Sequence, residues 1–537
     1  MQRLTSPDSR NSQIVPSGSW GRPITLIALA SCGVLLAGGC SGPCSAPPTG
    51  RQSTRDAIPA AEWTIAADPA AVRPPFAFGE DDDRFLDEIE RASFWFLWNA
   101  CDPESGMVFD RSSVTFVSTA GVGFQLAAIP AAVERGWVTR EEGRTRVGRI
   151  LKALESNPNN RKAGLFYHFL DGRTAAPKDN DAVSTIDSAL LFAGMIVAGE
   201  YFGGEAAEIG QRLFAQADWS FFVLRDPRPD ELYLRGFISL GWKPTNFADP
   251  TGPGSLLPYA WADAADEQRL VSFLAAAAPN AANRVSARQY YRLRRMLGEH
   301  GDSGVHVWFP WSGALFTHFF AHCFINYAGM GPDDPGAHGV VHRPRVDWWE
   351  NARRGVRLHR IKAMENPPGL PGFGPNAWGL TASDAPRGYA VPGVFPERVR
   401  TSDQIAQYDY AEFVPRDDFG DGTIAPYGAG CSVMFEPAAS IGALRHYRQV
   451  RVGAGGDSLW RDPGRAGETG EFGFRDSYNV GAGWVAPDYV AIDQGPLVLA
   501  IENARSGLIW RLFHRNASVR SGMRELGISL NKSPTGD

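Results

Sequence analysis

The chain has 537 residues, of which 44% are hydrophobic, so it can bury a sizeable core and is not a disordered protein. The formal net charge of -6 excludes the basic stripe that a nucleic-acid-binding protein needs, and no nucleic-acid partner is expected. Aromatic residues make up 11% of the chain and include 16 tryptophans, which is typical of core packing and of carbohydrate binding.

The N-terminal segment predicts export. Arg3, Arg10 and Arg22 precede an apolar run at 24–37 that is too short for a comfortable membrane span. The stretch Leu36-Ala-Gly-Gly-Cys40 is similar to a bacterial lipoprotein box, although Ala37 stands where leucine is usual. We therefore predict a lipoprotein-type signal peptide over 1–40 with Cys40 lipidated, and a protein held on a membrane only by its lipid, in the periplasm or at the cell surface. An ordinary cleaved signal is the alternative.

Residues 41–80 are rich in Pro, Ala, Ser and Thr and predict a flexible tether. Helical periodicity begins at Asp81 and continues to about residue 515, and residues 516–537 form a tail. Further helices are predicted near 120–135, 139–156, 184–201, 205–222, 262–277, 312–328, 345–363, 432–450, 488–494 and 496–513. Short aromatic runs at 165–170, 232–237 and 305–309 predict strand fragments or loop walls. This pattern predicts an all-α fold with irregular loops, the longest at 366–431.

Cysteine spacing excludes a zinc ribbon and a disulfide scaffold. Cys101, Cys323 and Cys431 are scattered and form no CxxC motif. One pair among these three can bridge in an oxidising compartment, and the sequence does not decide which.

Polar and aromatic groups crowd together near the C-terminus. Arg475, Asp476, Trp484, Asp493 and Glu502 lie between short apolar runs, where charges are costly unless they are paired or functional. Sugars stack on aromatic rings and bind carboxylates, and two carboxyl groups suffice to cleave a glycosidic bond. The mixture therefore predicts a carbohydrate site that needs no cofactor.

Glu267 is the candidate general acid. It begins a helix whose apolar positions Leu270, Val271 and Leu274 share its face, so burial is expected to raise its pKa. The structural alternative is a first-turn acid stabilised by the helix dipole. Asp263 and Asp266 are close competitors.

Four aspartates are further candidates, and the sequence offers a structural alternative for three of them. Asp187 has capping-box spacing from Ser184. Asp493 precedes Gly495-Pro496, which is typical of a helix entry, so it can be a cap. Asp476 follows Arg475 and can form an ion pair with it. Asp384 carries no such alternative.

No metal site is predicted. His318 and His322 share a helical face without the glutamate of an HExxH motif, and their phenylalanine neighbours favour a core or sugar-contacting role. The acidic loop at Asp417, Asp418 and Asp421 lacks the EF-hand pattern and is interpreted as solvated.

Seven motifs in order resemble the bacterial glucoamylase-like family, which includes the endo-β-1,2-glucanases of glycoside hydrolase family 144 and the processing domain of cyclic β-1,2-glucan synthases. They span roughly residues 82–515. The motifs are Phe166-Tyr-His-Phe169, Ser184-Thr-Ile-Asp187, Trp378-Gly-Leu-Thr-Ala-Ser-Asp384, Asp421-Gly-Thr-Ile-Ala-Pro426, Phe474-Arg-Asp-Ser-Tyr-Asn479, Ala491-Ile-Asp-Gln-Gly-Pro496 and Ile501-Glu-Asn503.

The resemblance implies an (α/α)6 toroid over 81–515 that cleaves a β-glucan, most often β-1,2-glucan, with inversion. In such a reaction the two carboxyl groups stand about 6.5–9.5 Å apart. The family's catalytic glutamate matches Glu267, and Asp187 and Asp493 are candidate bases or subsite residues. The expected partner is an oligo- or polysaccharide, and a monomer is expected. The substrate-binding candidates are His168, Trp242, Trp308, Trp311, Trp378, Asp384, Arg475, Asp476, Trp484 and Glu502.

Departures from the family pattern keep two alternatives open. Ala182 stands where the family often has an acid, although Asp181 is adjacent, and Ala265 or Asp266 replaces a tyrosine. The stretch 386–418 is longer than usual. A non-catalytic carbohydrate-binding lipoprotein on the same toroid is one alternative. The other is a polysaccharide lyase that uses Tyr167, His168 and Arg475.

Overall fold

The computed structural model describes residues 64–178, 180–301, 303–309, 312–396, 398–401 and 416–530. The predicted signal peptide, Cys40, residues 41–63 of the predicted tether and Trp311 lie outside these residues. The last part of the predicted tether is ordered, because Ile65 forms a parallel bridge with Val346. The predicted tail contains a helix that packs against the body of the protein.

The described residues contain thirteen α-helices, so the protein is mainly helical, as predicted. They are α1 (Glu80–Asn99), α2 (Thr119–Glu134), α3 (Arg140–Ser156), α4 (Thr185–Phe202), α5 (Gly204–Gln216), α6 (Asp266–Ala277), α7 (Arg288–Arg292), α8 (Trp348–Glu365), α9 (Pro426–Cys431), α10 (Pro437–Gln449), α11 (Ala491–Arg505), α12 (Leu508–Arg515) and α13 (Ala517–Glu525).

The core is built on α2, α4 and α11. Helix α4 packs against α2, α5, α6 and α12, and α11 packs against α1, α2 and α9. Helix α4 is apolar on every side and is buried along almost its whole length, which is the pattern of a central helix. It is also the single helix in the described residues that is long and apolar enough to cross a membrane, but 83% of that apolar window is buried in the protein.

Two glycines set the crossing of α2 and α4. A Cβ atom on Gly194 would lie 1.9 Å from the carbonyl oxygen of Gly123, and one on Gly123 would lie 2.4 Å from the carbonyl oxygen of Leu190. The two backbones are therefore in direct contact, and a larger residue at either position would push the helices apart.

The strands are short and form two- and three-stranded antiparallel sheets. The strands are β1 (Phe116–Ser118), β2 (Arg161–Lys162), β3 (Leu165–Phe166), β4 (Phe169–Asp171), β5 (Val183–Ser184), β6 (Gly241–Pro244), β7 (Gly254–Leu256), β8 (Met296–Glu299), β9 (His306–Phe309), β10 (Ser383–Ala385), β11 (Gly388–Ala390), β12 (Arg398–Thr401), β13 (Arg451–Val452), β14 (Asp457–Ser458), β15 (Trp460–Arg461), β16 (Gly473–Phe474), β17 (Tyr478–Asn479) and β18 (Trp484–Val485). The three-stranded sheets have the orders β5-β6-β7 and β12-β8-β9, and the pairs are β1-β4, β2-β3, β10-β11, β13-β14, β15-β16 and β17-β18.

Two local predictions are wrong. The stretch 312–328 forms short 3₁₀ turns at Leu315–His318, Ala321–Cys323 and Tyr327–Gly329. Its aromatic side chains are buried, so tertiary packing decides the backbone there. Residues 232–237, predicted as a strand fragment or a loop wall, form part of a 3₁₀ segment at Pro229–Leu234 and a turn, which agrees with the loop alternative. The helix break at Pro496 is absent, since α11 continues through it.

Candidate active site

Glu267 lies in the first turn of α6 and is half-buried. Within the described part of the chain, no group forms a hydrogen bond or ion pair with its carboxyl group. Burial raises the pKa of Glu267 to about 8, and the negative charges of Asp187 and Asp266 add to the shift. The carboxyl group is therefore mainly protonated at neutral pH and can give up a proton.

The two competing acids on the same segment are paired. Asp263 accepts a hydrogen bond from Arg294 at 2.5 Å. Asp266 lies 2.8 Å from His322 Nδ1 and forms a buried ion pair with Arg269. Burial alone would raise the pKa of Asp266, but the charges of His322 and Arg269 outweigh it and lower the pKa to about 2. Both acids therefore have structural partners, unlike Glu267.

Asp187 lies in the first turn of α4 and faces Glu267. Ser184 is the N-cap residue, and its hydroxyl group donates to the Asp187 carboxylate. The predicted capping contact is thus confirmed. Burial raises the pKa of Asp187, while the charge of His168 and the Ser184 hydrogen bond oppose that rise. The capping role places the carboxylate at the end of α4 that lies near Glu267.

His168 stands between two carboxylates. Its Nε2 atom is 3.7 Å from Asp187 and its Nδ1 atom is 3.2 Å from Asp181. Burial lowers the pKa of His168, but Asp187 and Asp181 outweigh it and raise the pKa to about 9. We call Glu267, Asp187, His168 and Asp181 the Glu267 cluster. Sequence reasoning noted Asp181 only as a neighbour of Ala182 and gave it no role in the site.

A second group of carboxylates consists of Asp384, Asp476 and Asp493, and we call it the aspartate cluster. Arg111 forms an ion pair with Asp384. Arg111 Nη1 donates to both oxygens of Asp384, at 3.0 and 2.9 Å, and the Asp384 amide donates to Asp476 at 2.7 Å. Burial raises the pKa of Asp476 to about 6. Burial and the charge of Asp476 raise the pKa of Asp493 well above its usual range. Asp476 and Asp493 therefore titrate as a coupled pair, in which a second negative charge is disfavoured.

Asp110 connects the two clusters. Its charge acts on both Asp187 and His168, and its carboxylate lies 3.5 Å from Arg111 Nε. Sequence reasoning missed Asp110 and Arg111. The signal was a charged pair after the apolar run Met107-Val-Phe109, in a segment without a motif.

Arg475 does not pair with Asp476, so that structural alternative is wrong. Arg475 Nη1 donates to the carbonyl of Pro487 at 2.6 Å, and its other terminal nitrogen lies 3.3 Å from Glu471. The Asp476 carboxylate instead accepts from the Asp384 amide and is buried. Its predicted contact with substrate stays a prediction.

Burial contradicts a stacking role for three of the predicted tryptophans. Trp242, Trp308 and Trp378 have relative exposures of 1%, 2% and 0%, so their rings offer no open face to a sugar. Trp242, for example, lies in the sheet β5-β6-β7, beneath Gly254. Trp484 is half-buried and remains a candidate stacking ring.

Glu502 belongs to a structural network at the far end of α11 from Asp493. It accepts a hydrogen bond from Arg135 Nε at 2.8 Å and another from Ser506. The buried carboxyl group of Glu90 lies against it, and burial and the charge of Glu502 raise the pKa of Glu90. The predicted substrate contact of Glu502 is therefore wrong, because its carboxylate is buried and paired.

His318, His322, Cys323 and Cys431 are buried in the core, and Cys101 is half-buried. His322 contacts Asp266, and the ring of His318 lies against Gly355. Among the described residues, no group of three or more His, Cys, Asp or Glu side chains is arranged to hold a metal ion. Cys101, Cys323 and Cys431 are all free thiols.

Residues 258–517 match the model of the Glycoamylase family, described as "Putative glucoamylase". This range contains Glu267 and the aspartate cluster. The predicted resemblance to the glucoamylase-like family is confirmed.

The protein is similar to an exo-β-1,2-glucooligosaccharide sophorohydrolase (non-reducing end) of Parabacteroides distasonis, with 28% identity over 473 residues. This alignment covers 83% of the chain but 58% of that relative's length.

Two solved structures have similar folds. A "putative glucoamylase" of Bacteroides uniformis has a TM-score of 0.65 at 26% identity, with 84% of this chain and 99% of the other covered. An endo-β-1,2-glucanase of Chitinophaga pinensis, solved with sophorotriose and glucose, has a TM-score of 0.64 at 23% identity, with 84% and 98% covered. At that identity the second similarity concerns the fold alone.

Proposed function

We propose that the protein is a glycoside hydrolase that cleaves β-1,2-glucan on an (α/α)6 toroid, with inversion at the anomeric carbon. The relative of Parabacteroides distasonis supports the substrate, because it is named for β-1,2-glucooligosaccharides. The dominance of helices supports the toroid.

One observation carries the proposal. Of the three acids at the start of α6, Glu267 alone lacks a partner among the described residues, and its carboxyl group is protonated at neutral pH. A general acid must hold its proton at the working pH and release it to the leaving oxygen.

In the proposed reaction Glu267 protonates the glycosidic oxygen, and Asp187 accepts a proton from the attacking water. Asp187 is favoured over Asp493 as the base because burial and the charge of Asp476 disfavour the ionised form of Asp493, whereas the charge of His168 favours the ionised form of Asp187. Bond cleavage, water attack and the two proton transfers leave one new reducing end. The aspartate cluster is then available to bind sugar hydroxyl groups.

The decisive experiment compares the purified protein with its Glu267→Gln variant on β-1,2-glucan and on an aryl β-sophoroside with a dinitrophenol leaving group. The variant should lose on the order of 10²–10⁴-fold on the glucan. It should lose far less on the aryl substrate, because dinitrophenolate leaves without protonation. Equal losses on both substrates would remove Glu267 as the acid, and no cleavage by the parent would favour the carbohydrate-binding alternative.

The stereochemistry has its own test. Proton NMR of the first product shows an α-anomer if water attacks the β-linkage with inversion, and a β-anomer if the reaction proceeds with retention.

We further propose that the protein is exported as a monomer and anchored by a lipid on Cys40. The basic residues, the apolar run and the small residues before Cys40 support this. Cys40→Ala should move the protein from the membrane fraction to the soluble fraction. An unchanged membrane fraction would contradict the anchor.

A further inference from the structure

The imidazole ring of His168 lies between two carboxylates. Asp187 approaches Nε2 at 3.7 Å and Asp181 approaches Nδ1 at 3.2 Å, so each nitrogen faces a carboxylate. The imidazole ring also stacks on Phe169, with centroids 3.7 Å apart. A ring between two carboxylates is most stable when both nitrogens carry hydrogen and the ring is a cation.

Asp181 is a fixed support for that cation. Its side chain is fully buried, and it accepts hydrogen bonds from the amides of Ala182 at 2.7 Å and Phe169 at 3.2 Å. The backbone of His168 is equally fixed, because its amide donates to Ala182 and its carbonyl accepts from Thr119, at 2.9 Å each. The main chain that carries the imidazole is therefore fixed, and the ring itself is supported by its stack on Phe169.

The surroundings of Asp187 otherwise disfavour its negative charge. Burial does so, and the carboxylates of Asp181 and Asp110 repel it. Glu267 on α6 faces it across the cluster, and the charge of Asp187 helps keep Glu267 protonated. His168 is the cation among the described groups that act most strongly on Asp187.

We infer that His168, supported by Asp181, is a positioning residue that keeps Asp187 ionised beside a protonated Glu267. This inference rests on the proposed hydrolase function. The His168 cation stabilises the negative charge on Asp187, and that charge in turn keeps the proton on Glu267. Together the two effects determine which carboxyl group is the acid and which is the base. Asp181 takes part although it contacts neither of the two reacting carboxyl groups.

The kinetic test uses pH profiles of kcat/KM on β-1,2-glucooligosaccharides for His168→Gln and Asp181→Asn, with the exposed His342→Gln as the matched control. Glutamine keeps a hydrogen-bonding group but has no charge. The acidic limb of the profile should move to higher pH, and activity below that limb should fall roughly tenfold for each unit of the shift. Asp181→Asn should give the same shift to a smaller extent, with KM changed less than twofold.

A purely structural role gives a different result. Both variants would then lose activity by the same factor at every pH, and an unmoved acidic limb would overturn the inference.

The charge of His168 can be measured without any turnover. The full chain, labelled with ¹³C in its 10 histidines, is titrated by NMR, and the signal missing from His168→Gln identifies the residue. We expect an imidazolium that persists above pH 8. A ring that is neutral at pH 7 would overturn the inference even if the enzyme cleaves glucan. A persistent cation in a protein without hydrolase activity would leave the charge assignment standing and refute the proposed function instead.

Discussion

Glu267 imposes a pH-dependent cost on the folded protein, and Glu267→Gln should remove it. The pKa of Glu267 is about 8 in the folded protein against 4.5 for the free side chain. Between these two values the folded state binds more protons than the unfolded chain, so stability falls as pH rises. Glutamine does not ionise in either state and is free of this effect.

The size of the effect follows from the two pKa values. One pKa unit corresponds to about 1.4 kcal/mol, so full desolvation would cost the parent about 3 kcal/mol at pH 7 relative to pH 4. Because the Glu267 side chain is half-buried, solvent screening reduces this figure, and we expect about 2 kcal/mol.

Denaturant unfolding of the parent and Glu267→Gln at pH 4 and pH 7 measures the difference, since contributions from all other groups cancel. The exposed Glu468→Gln controls for the loss of one surface charge. We expect the variant to gain stability relative to the parent as pH rises. Equal changes in the free energy of unfolding between pH 4 and pH 7 for parent and variant would show that Glu267 titrates as a free side chain. Glu267 would then lack the raised pKa that a general acid needs.

Three further outcomes follow from the contacts. Asp266→Asn leaves the Arg269 charge buried without its carboxylate and should cost about 3–5 kcal/mol in denaturant unfolding; a change below about 1 kcal/mol would contradict the ion pair. Glu502→Gln should lower the thermal midpoint, because Arg135 loses its charged partner, and should leave KM for β-1,2-glucooligosaccharides unchanged; a raised KM would restore Glu502 to the site. Trp484→Ala should raise that KM at an unchanged thermal midpoint if its half-buried ring stacks on a sugar.

Sequence periodicity predicted the helices whose packing faces are regular. The predictions at 120–135, 139–156 and 184–201 correspond to α2, α3 and α4 within a residue at each end. The signals were local, such as the capping box from Thr139 to Glu142.

Predictions from local sequence were wrong where tertiary packing outweighs the local preference of the backbone. Proline inside a helix costs about 3 kcal/mol, yet α11 continues through Pro496 because both flanks are buried. Gly495 packs against Phe124 of α2, which fixes the helix at that point. The free energy gained from this burial depends on residues distant in sequence, so the residues next to Pro496 do not predict it.

The site was only partly predictable for the same reason. Helical spacing placed Glu267 on a buried face and Asp187 at a cap. Arg111 and Asp384, however, are 273 residues apart in sequence, and their pairing appears only in the folded chain. The burial of Trp242, Trp308 and Trp378 likewise depends on which neighbours cover them.

The backbone contact between Gly123 and Gly194 has a consequence for how the protein can diversify. Asp187 sits at the start of α4, and α4 is locked to α2 by this contact of main chain on main chain. A side chain at either glycine would push α4 away from α2 and move Asp187 with it. Sequence change elsewhere in the chain therefore preserves the position of this carboxylate only while both positions stay glycine.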